Sequence, residues 1–168
     1  ETMDRGVQQR LIDAPTRRNF ASNSLVLIEP AKDGVGLKTL QDLTRPTVKR
    51  SAVGKLATVP VGRYTKQALD AAKLWTVLEP RFVQADSVRQ VLDYVARAEV
   101  EAGFVYRTDA ALMGDRVKVV MSPPVTAPIT YPVAVVAHSR QKELAHAFAA
   151  YLLSDTAQQV LARHGFGK

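Results

Sequence analysis

From Phe82 to Tyr106 the chain spells out a strand, a helix and a second strand in one uninterrupted run. Ser87 with Gln90 forms a capping-box pattern, and Val88, Val91, Leu92 and Val95 place one apolar stripe on the helix that follows. Phe82-Val83 precedes that helix as a brief strand, and Ala102-Gly103-Phe104-Val105-Tyr106 follows it as an apolar run of strand length. Two strands joined by a crossover helix call for a parallel pair with a helix on its face, so the fold class expected is α/β with a mainly parallel sheet.

The alternation extends in both directions. Met3, Val7 and Leu11 recur at helical spacing over residues 2–12, ahead of Pro15. Ser24 to Ile28 reads as a buried strand stopped by Pro30, residues 32–36 as a turn, and Leu37, Leu40 and Leu43 as a short helix closed by Pro46. Val48 to Val53 reads as a strand, and Tyr64, Ala68 and Ala72 give the next helix its inner face. Beyond Tyr106 come a short helix from Thr108 to Leu112, strands from Val117 to Met121 and from Ile129 to Ala137, and two closing helices through Leu144, Phe148 and Leu152 and through Val160, Leu161 and His164. The apolar runs at 24–28 and 129–137 bracket a compact unit, which implies two chain crossings between a middle lobe and a second lobe built from both ends. That second lobe looks underfilled. The helix faces near Val7, Phe148 and Leu161 have little sheet of their own to cover.

A net charge of +7 favours anionic partners. The basic residues are scattered, with Arg17-Arg18 and Lys49-Arg50 the only adjacent pairs, so no nucleic-acid partner is expected. The absence of cysteine excludes disulfides and thiol catalysis and leaves the compartment open. No apolar run approaches the roughly 18–20 residues that span a bilayer. No charged-then-apolar leader precedes Glu1, so any secretory signal is expected to have been removed or never included. His138, His146 and His164 have no partner at metal-ligand spacing, no nucleophile motif occurs, and carboxylates do not cluster. The expectation is no enzyme, no cofactor and no metal site.

Three segments point instead to hydrogen-bond donors. Pro60 suits a helix start and Gly62 permits close approach to backbone, so the Val61 N–H either faces a ligand or belongs to an ordinary proline-started helix. Ser87 caps a residue further on and leaves the Val88 N–H for a ligand or for water, with the Asp86 carboxylate beside it as a competitor or a source of repulsion. Tyr106 ends an apolar strand where open α/β sheets bind ligands, or else is a core tyrosine with a satisfied hydroxyl. Tyr64 and Tyr131 hold weaker positions.

Six segments in order resemble the periplasmic molybdate-binding proteins of ABC transporters: Asn23 to Leu27, Ser51 to Tyr64, Ala85 to Arg89, Gly103 to Tyr106, Tyr131 to Val135, and His164-Gly165-Phe166. The resemblance runs over nearly the entire chain. It implies a type-2 periplasmic-binding-protein architecture with one complete lobe and a partial second one. Residues 1–22 would be the partial first lobe, 23–31 a crossing strand, 32–128 the complete second lobe, and 129–168 the return crossing and closing helices. It implies capture of molybdate or tungstate for an ABC permease in the inner membrane, in the periplasm, with the Val61 N–H, the Val88 N–H and the Tyr106 hydroxyl as oxyanion ligands and with Lys55 and Arg63 at the rim of the cleft.

The chain departs from the family pattern in three places. Valine stands at 61 where the family has alanine, which a backbone donor survives. Lys55 replaces an aspartate, which raises attraction for anions without supplying a shape filter. The family's opening strand–helix–strand–helix–strand segment, with two serine ligands, has no counterpart here, so the resemblance implies an incomplete site and self-association through the unfilled lobe. Ser22 and Ser24 lie in the crossing strand and do not replace those serines. Two other classes share the architecture. The effector-binding domain of a transcription regulator would bring a helix-turn-helix, and an enzyme such as a dehydratase would bring clustered acid–base residues; neither feature is present. A sulfate-like oxyanion remains an alternative ligand.

Overall fold

The computed structural model describes residues 2–168. Glu1, the first residue of the expected 1–22 segment, lies outside the described residues. The chain forms two compact units, one from the residues up to Asn23 together with Ile129–Lys168, the other from Ser24–Pro128.

The first unit opens with helix α1 (Thr2–Gln8), then strand β1 (Arg18–Asn23). The second holds β2 (Leu25–Pro30), β3 (Ser51–Gly54), α2 (Pro60–Ala71), α3 (Trp75–Leu78), β4 (Phe82–Ala85), α4 (Val88–Ala96), β5 (Ala102–Tyr106), α5 (Arg107–Ala111) and β6 (Val117–Met121). The chain then returns to the first unit through β7 (Ile129–Val133), α6 (Lys142–Leu152) and α7 (Asp155–Arg163). The segment 23–31 thus ends one ribbon and supplies a central strand of the other sheet.

The second unit is a five-stranded sheet in the order β4-β3-β5-β2-β6. Strand β3 is parallel to both β4 and β5, while β2 is antiparallel to β5 and to β6. Four strands therefore run one way and β2 alone runs against them, in keeping with the mainly parallel sheet expected. Val26, Leu27 and Ile28 are consecutive and all 0% exposed, which requires cover on both faces because successive side chains point to opposite sides. One cover is α4, whose Val91, Leu92 and Val95 pack with Val26, Ile28, Ala52 and Val105. Gly103 is what lets it approach: a Cβ there would stand 2.7 Å from Val95 Cγ2. The loop after β2 is tied by the buried carboxylate of Glu29, whose Oε2 accepts the Gly36 and Leu37 N–H groups at 3.0 Å each. Its Oε1 faces Lys118 Nζ at 3.5 Å.

The first unit is a two-stranded antiparallel ribbon, β1 with β7, carrying the terminal helices. Tyr131 packs between Phe20 and Phe166, and its hydroxyl accepts from Asn23 Nδ2 at 3.0 Å. The last residues are fastened to β1: Ser22 and Gly167 exchange backbone hydrogen bonds at 2.7 and 2.9 Å. Burial is sparse. Among the apolar residues here only Ala21, Ile129, Val135 and Ala157 are buried, while Leu144, Phe148 and Tyr151 are each more than half exposed. Of the residues expected to sit on uncovered helix faces, Phe148 is exposed, whereas Val7 and Leu161 are half-buried.

Five elements differ from the sequence expectation. The helix expected over 2–12 ends at Gln8, because Arg10 takes a left-handed conformation (φ 57°). The strand expected from Val48 begins at Ser51; the Val48 N–H donates instead to the Arg45 carbonyl, closing the preceding turn. The strand expected to Ala137 stops at Val133, and the Val135 N–H donates to Thr16 Oγ1. Strand β1 and helix α3 were not anticipated, since RNFASN carries too few apolar residues to announce a strand and WTVL is too short to show a period.

Candidate functional site

The carboxyl ends of β3, β4 and β5 lie side by side. Gly54 stands opposite Ala85 in the β3–β4 pair, and Ser51 and Ala52 stand opposite Ala102 and Gly103 in the β3–β5 pair. Continuing that register brings Gly54 level with Val105, one residue before Tyr106. With neighbouring strands about 4.8 Å apart, the three ends fall within roughly 10 Å across the sheet. Each leads into a helix start, so the three donors expected from the sequence gather at one edge of one unit.

At the first end, the Val59 N–H closes a turn onto the Lys55 carbonyl at 2.8 Å and the chain enters α2. Pro60 has no N–H, and Gly62 donates to the Val59 carbonyl at 3.0 Å. The Val61 N–H is left without an acceptor among the described residues, while the Val61 side chain is fully buried. Gly62 and Gly54 hold this start against the strand end: a Cβ on Gly62 would stand 2.1 Å from the Gly54 carbonyl oxygen. Thr65, one turn on, donates its hydroxyl back to the Val61 carbonyl at 2.8 Å.

At the second end, Ser87 Oγ accepts the Gln90 N–H at 3.1 Å. Gln90 Oε1 accepts from the Asp86 N–H at 2.6 Å, and Gln90 Nε2 donates to the Tyr94 hydroxyl at 2.9 Å. The cap therefore reaches one residue further back than a regular capping box. It leaves the Val88 N–H without an acceptor among the described residues. An uncapped N–H at a helix start can donate to an anion or to water.

At the third end, Tyr106 is half-buried and its ring meets that of Tyr64 edge-on, with centroids 6.4 Å apart. Sequence reasoning gave Tyr64 only a weak position; the signal was its place one turn after Pro60, on the helix whose start carries Val61. The Tyr106 N–H donates to Asp109 Oδ2 at 3.3 Å. Burial raises the pKa of Asp109 above the ordinary carboxylate value, opposed by that N–H and by the charge of Arg89.

Lys55 directly follows β3, and Arg63 belongs to α2. Arg63 is exposed in the first turn of α2. Lys55 is half-buried and its amine meets Asp86 Oδ1 at 2.5 Å, so the base and the acid that stood apart in the sequence are partners. No group of three or more His, Cys, Asp and Glu side chains among the described residues is placed to hold a metal ion. Among the described residues no helix is long and apolar enough to cross a membrane.

Known proteins resemble this chain in sequence and in fold. The chain is 35% identical over 170 residues to the molybdate-binding protein ModA of Escherichia coli, an alignment covering 98% of this chain and 65% of that protein. It thus spans less than two thirds of that relative's length. A solved Clostridium difficile substrate-binding domain assigned to a molybdenum ABC transporter superposes with a TM-score of 0.89 at 33% identity, covering 99% of this chain and 72% of that one. The Azotobacter vinelandii periplasmic molybdate-binding protein superposes with a TM-score of 0.78 at 21% identity, covering 99% and 74%, which is a likeness of fold. The architecture is that of the type-2 periplasmic binding proteins. The family model for bacterial extracellular solute-binding proteins matches residues 1–167, so the chain belongs to that family.

Proposed function

We propose that the second unit supplies one side of a site for a tetrahedral oxyanion, molybdate or tungstate, captured in the periplasm for delivery to an ABC permease in the inner membrane. The observation that carries this reading is the pair of helix-start N–H groups, at Val61 and Val88, that lack acceptors among the described residues and follow the strands paired side by side with the one that ends in Tyr106. A fully ionised dianion needs only donors, whereas hydrogen phosphate would leave its own proton without an acceptor. The chain acts by binding, without catalysis and without a resident cofactor or metal. Lys55 and Arg63 stand at the rim and raise the local concentration of anions. Three donors from one unit do not surround four oxygens, so tight binding requires donors from beyond this set.

Calorimetric titration with molybdate, tungstate, sulfate and phosphate tests the reading. Heat from molybdate and tungstate with none from phosphate is expected. Phosphate binding as tightly as molybdate, or no heat from either metal oxyanion, overturns it. Sulfate is equally aprotic and fits the same donors, so a sulfate preference in this titration would replace the ligand and keep the site.

The first unit is given a partner of its own: a second copy of the chain. Leu144, Phe148 and Tyr151 follow one another at i, i+4 and i+7 along α6 and are 67%, 58% and 51% exposed, a continuous apolar stripe on a unit with little core.

A further inference from the structure

Lys55 is the first residue after β3 and Asp86 the first after β4, and the two strands are paired in parallel with Gly54 opposite Ala85. Their loops are joined twice. The Lys55 N–H donates to the Ala85 carbonyl at 2.9 Å, and the Lys55 amine donates to Asp86 Oδ1 at 2.5 Å. The Asp86 backbone is held independently, since its N–H is taken by Gln90 Oε1. The Asp86 carboxylate therefore points to Lys55, and no hydrogen bond joins it to the N–H groups that open α4.

An acidic residue two positions ahead of Val88 is a liability for anion binding. Left uncompensated, its charge would oppose a dianion at the start of α4; the Asp86 side chain is 74% exposed, and Coulomb repulsion over about 8 Å at so exposed a position corresponds to roughly a fivefold loss of affinity at low salt. We infer that Lys55 is a positioning residue of electrostatic kind: by pairing with Asp86 it silences that carboxylate, so that both helix starts stay attractive to an anion. The inference rests on the oxyanion reading of the site. It assigns to Lys55 a task that its place at the rim does not, because the amine acts through Asp86 and not on the anion.

Four proteins test it: the parent, Lys55→Met, Asp86→Asn and the double variant, each titrated with molybdate at low and at physiological salt. The expected result is about fivefold weaker binding by Lys55→Met at low salt, binding no weaker than the parent by Asp86→Asn, and recovery of the double variant to within about twofold of the parent, with the differences shrinking as salt is added. Lys55→Met binding like the parent overturns the inference. So does a double variant as weak as Lys55→Met, which would mean that the pair acts as a mechanical tie between loops. The rate at which an amine-acylating ester labels Lys55, read by mass spectrometry, provides a measure without anion; labelling is expected to be slower in the parent than in Asp86→Asn, and equal rates overturn the pairing. Slow labelling in the parent with no oxyanion bound by any of the four proteins would sink the oxyanion reading and Lys55's service to it, while leaving the ion pair established.

Discussion

Gly62, in the first turn of α2, is packed so closely on Gly54 at the end of β3 that a Cβ on Gly62 would stand 2.1 Å from the Gly54 carbonyl oxygen. This contact, backbone on backbone, fixes where the Val61 N–H lies relative to the strand ends. No rotamer change can relieve an added methyl there.

Gly62→Ala is accordingly expected to push the start of α2 away, destabilising the fold by about 1–3 kcal/mol and weakening oxyanion binding in the protein that remains folded. Gly114→Ala is the control: its Cβ would meet nothing closer than 3.8 Å, so a change within about 0.5 kcal/mol is expected. Denaturant titration beside calorimetry checks both. Parent-like stability and affinity in Gly62→Ala would show that the contact does not set the donor.

Removing one hydroxyl separates binding from folding. Tyr106→Phe is expected to weaken molybdate binding by about 1–3 kcal/mol with little loss of stability, since the ring contact with Tyr64 is kept. Val61→Ala is expected to do the reverse, costing about 1 kcal/mol or more of stability through its fully buried side chain while leaving affinity near the parent value. The opposite pattern in the two variants would reject this assignment of donors.

Asp109 gives a pH dependence with a definite sign. Burial raises its pKa above the ordinary value of 3.8, so the folded chain holds this proton more tightly than the unfolded chain. Its contribution is fully present below the unfolded value and is lost as pH rises through the folded value. Asp109→Asn, which can still accept the Tyr106 N–H, is expected to gain stability relative to the parent as pH rises upward from 3.8. Unfolding midpoints of the two proteins over this range measure it; a difference that stays constant with pH, or falls, would exclude the shift. Asp42 has the opposite sign. The Lys38 and Thr39 N–H groups lower its pKa, so its contribution is present above the ordinary carboxylate value and disappears as pH falls through the lowered one.

Lys55→Ser is expected to slow oxyanion association at low salt and to leave the molybdate-to-sulfate preference within about threefold. Without the amine the Asp86 carboxylate is left uncompensated, and its field is screened over a Debye length of about 8 Å at physiological salt. Stopped-flow rates at two ionic strengths check this. A large change of preference would place the amine against the anion.

The exposed stripe on α6 predicts that the 168-residue chain associates with itself and that Phe148→Lys reduces the association. Light scattering across a concentration series decides it, and a parent that stays monomeric throughout would remove the second copy as the partner.

Short-range features were legible in the residues alone. The stripe of Val88, Val91, Leu92 and Val95, the Ser87 cap, the apolar runs at β2, β5 and β6, and the proline start of α2 each rest on a period or a cap written within a few neighbouring positions. Their arrangement was not. Only the folded chain decides that β2 runs against its four companions, that the polar strand β1 pairs with β7 from the far end of the sequence, and that Gln90 reaches back to Asp86 while Asp86 turns to Lys55. The physical reason is range. A helix period or a cap is decided by groups a turn apart, whereas a strand partner or an ion pair between loops depends on which distant segments burial of the common core brings together.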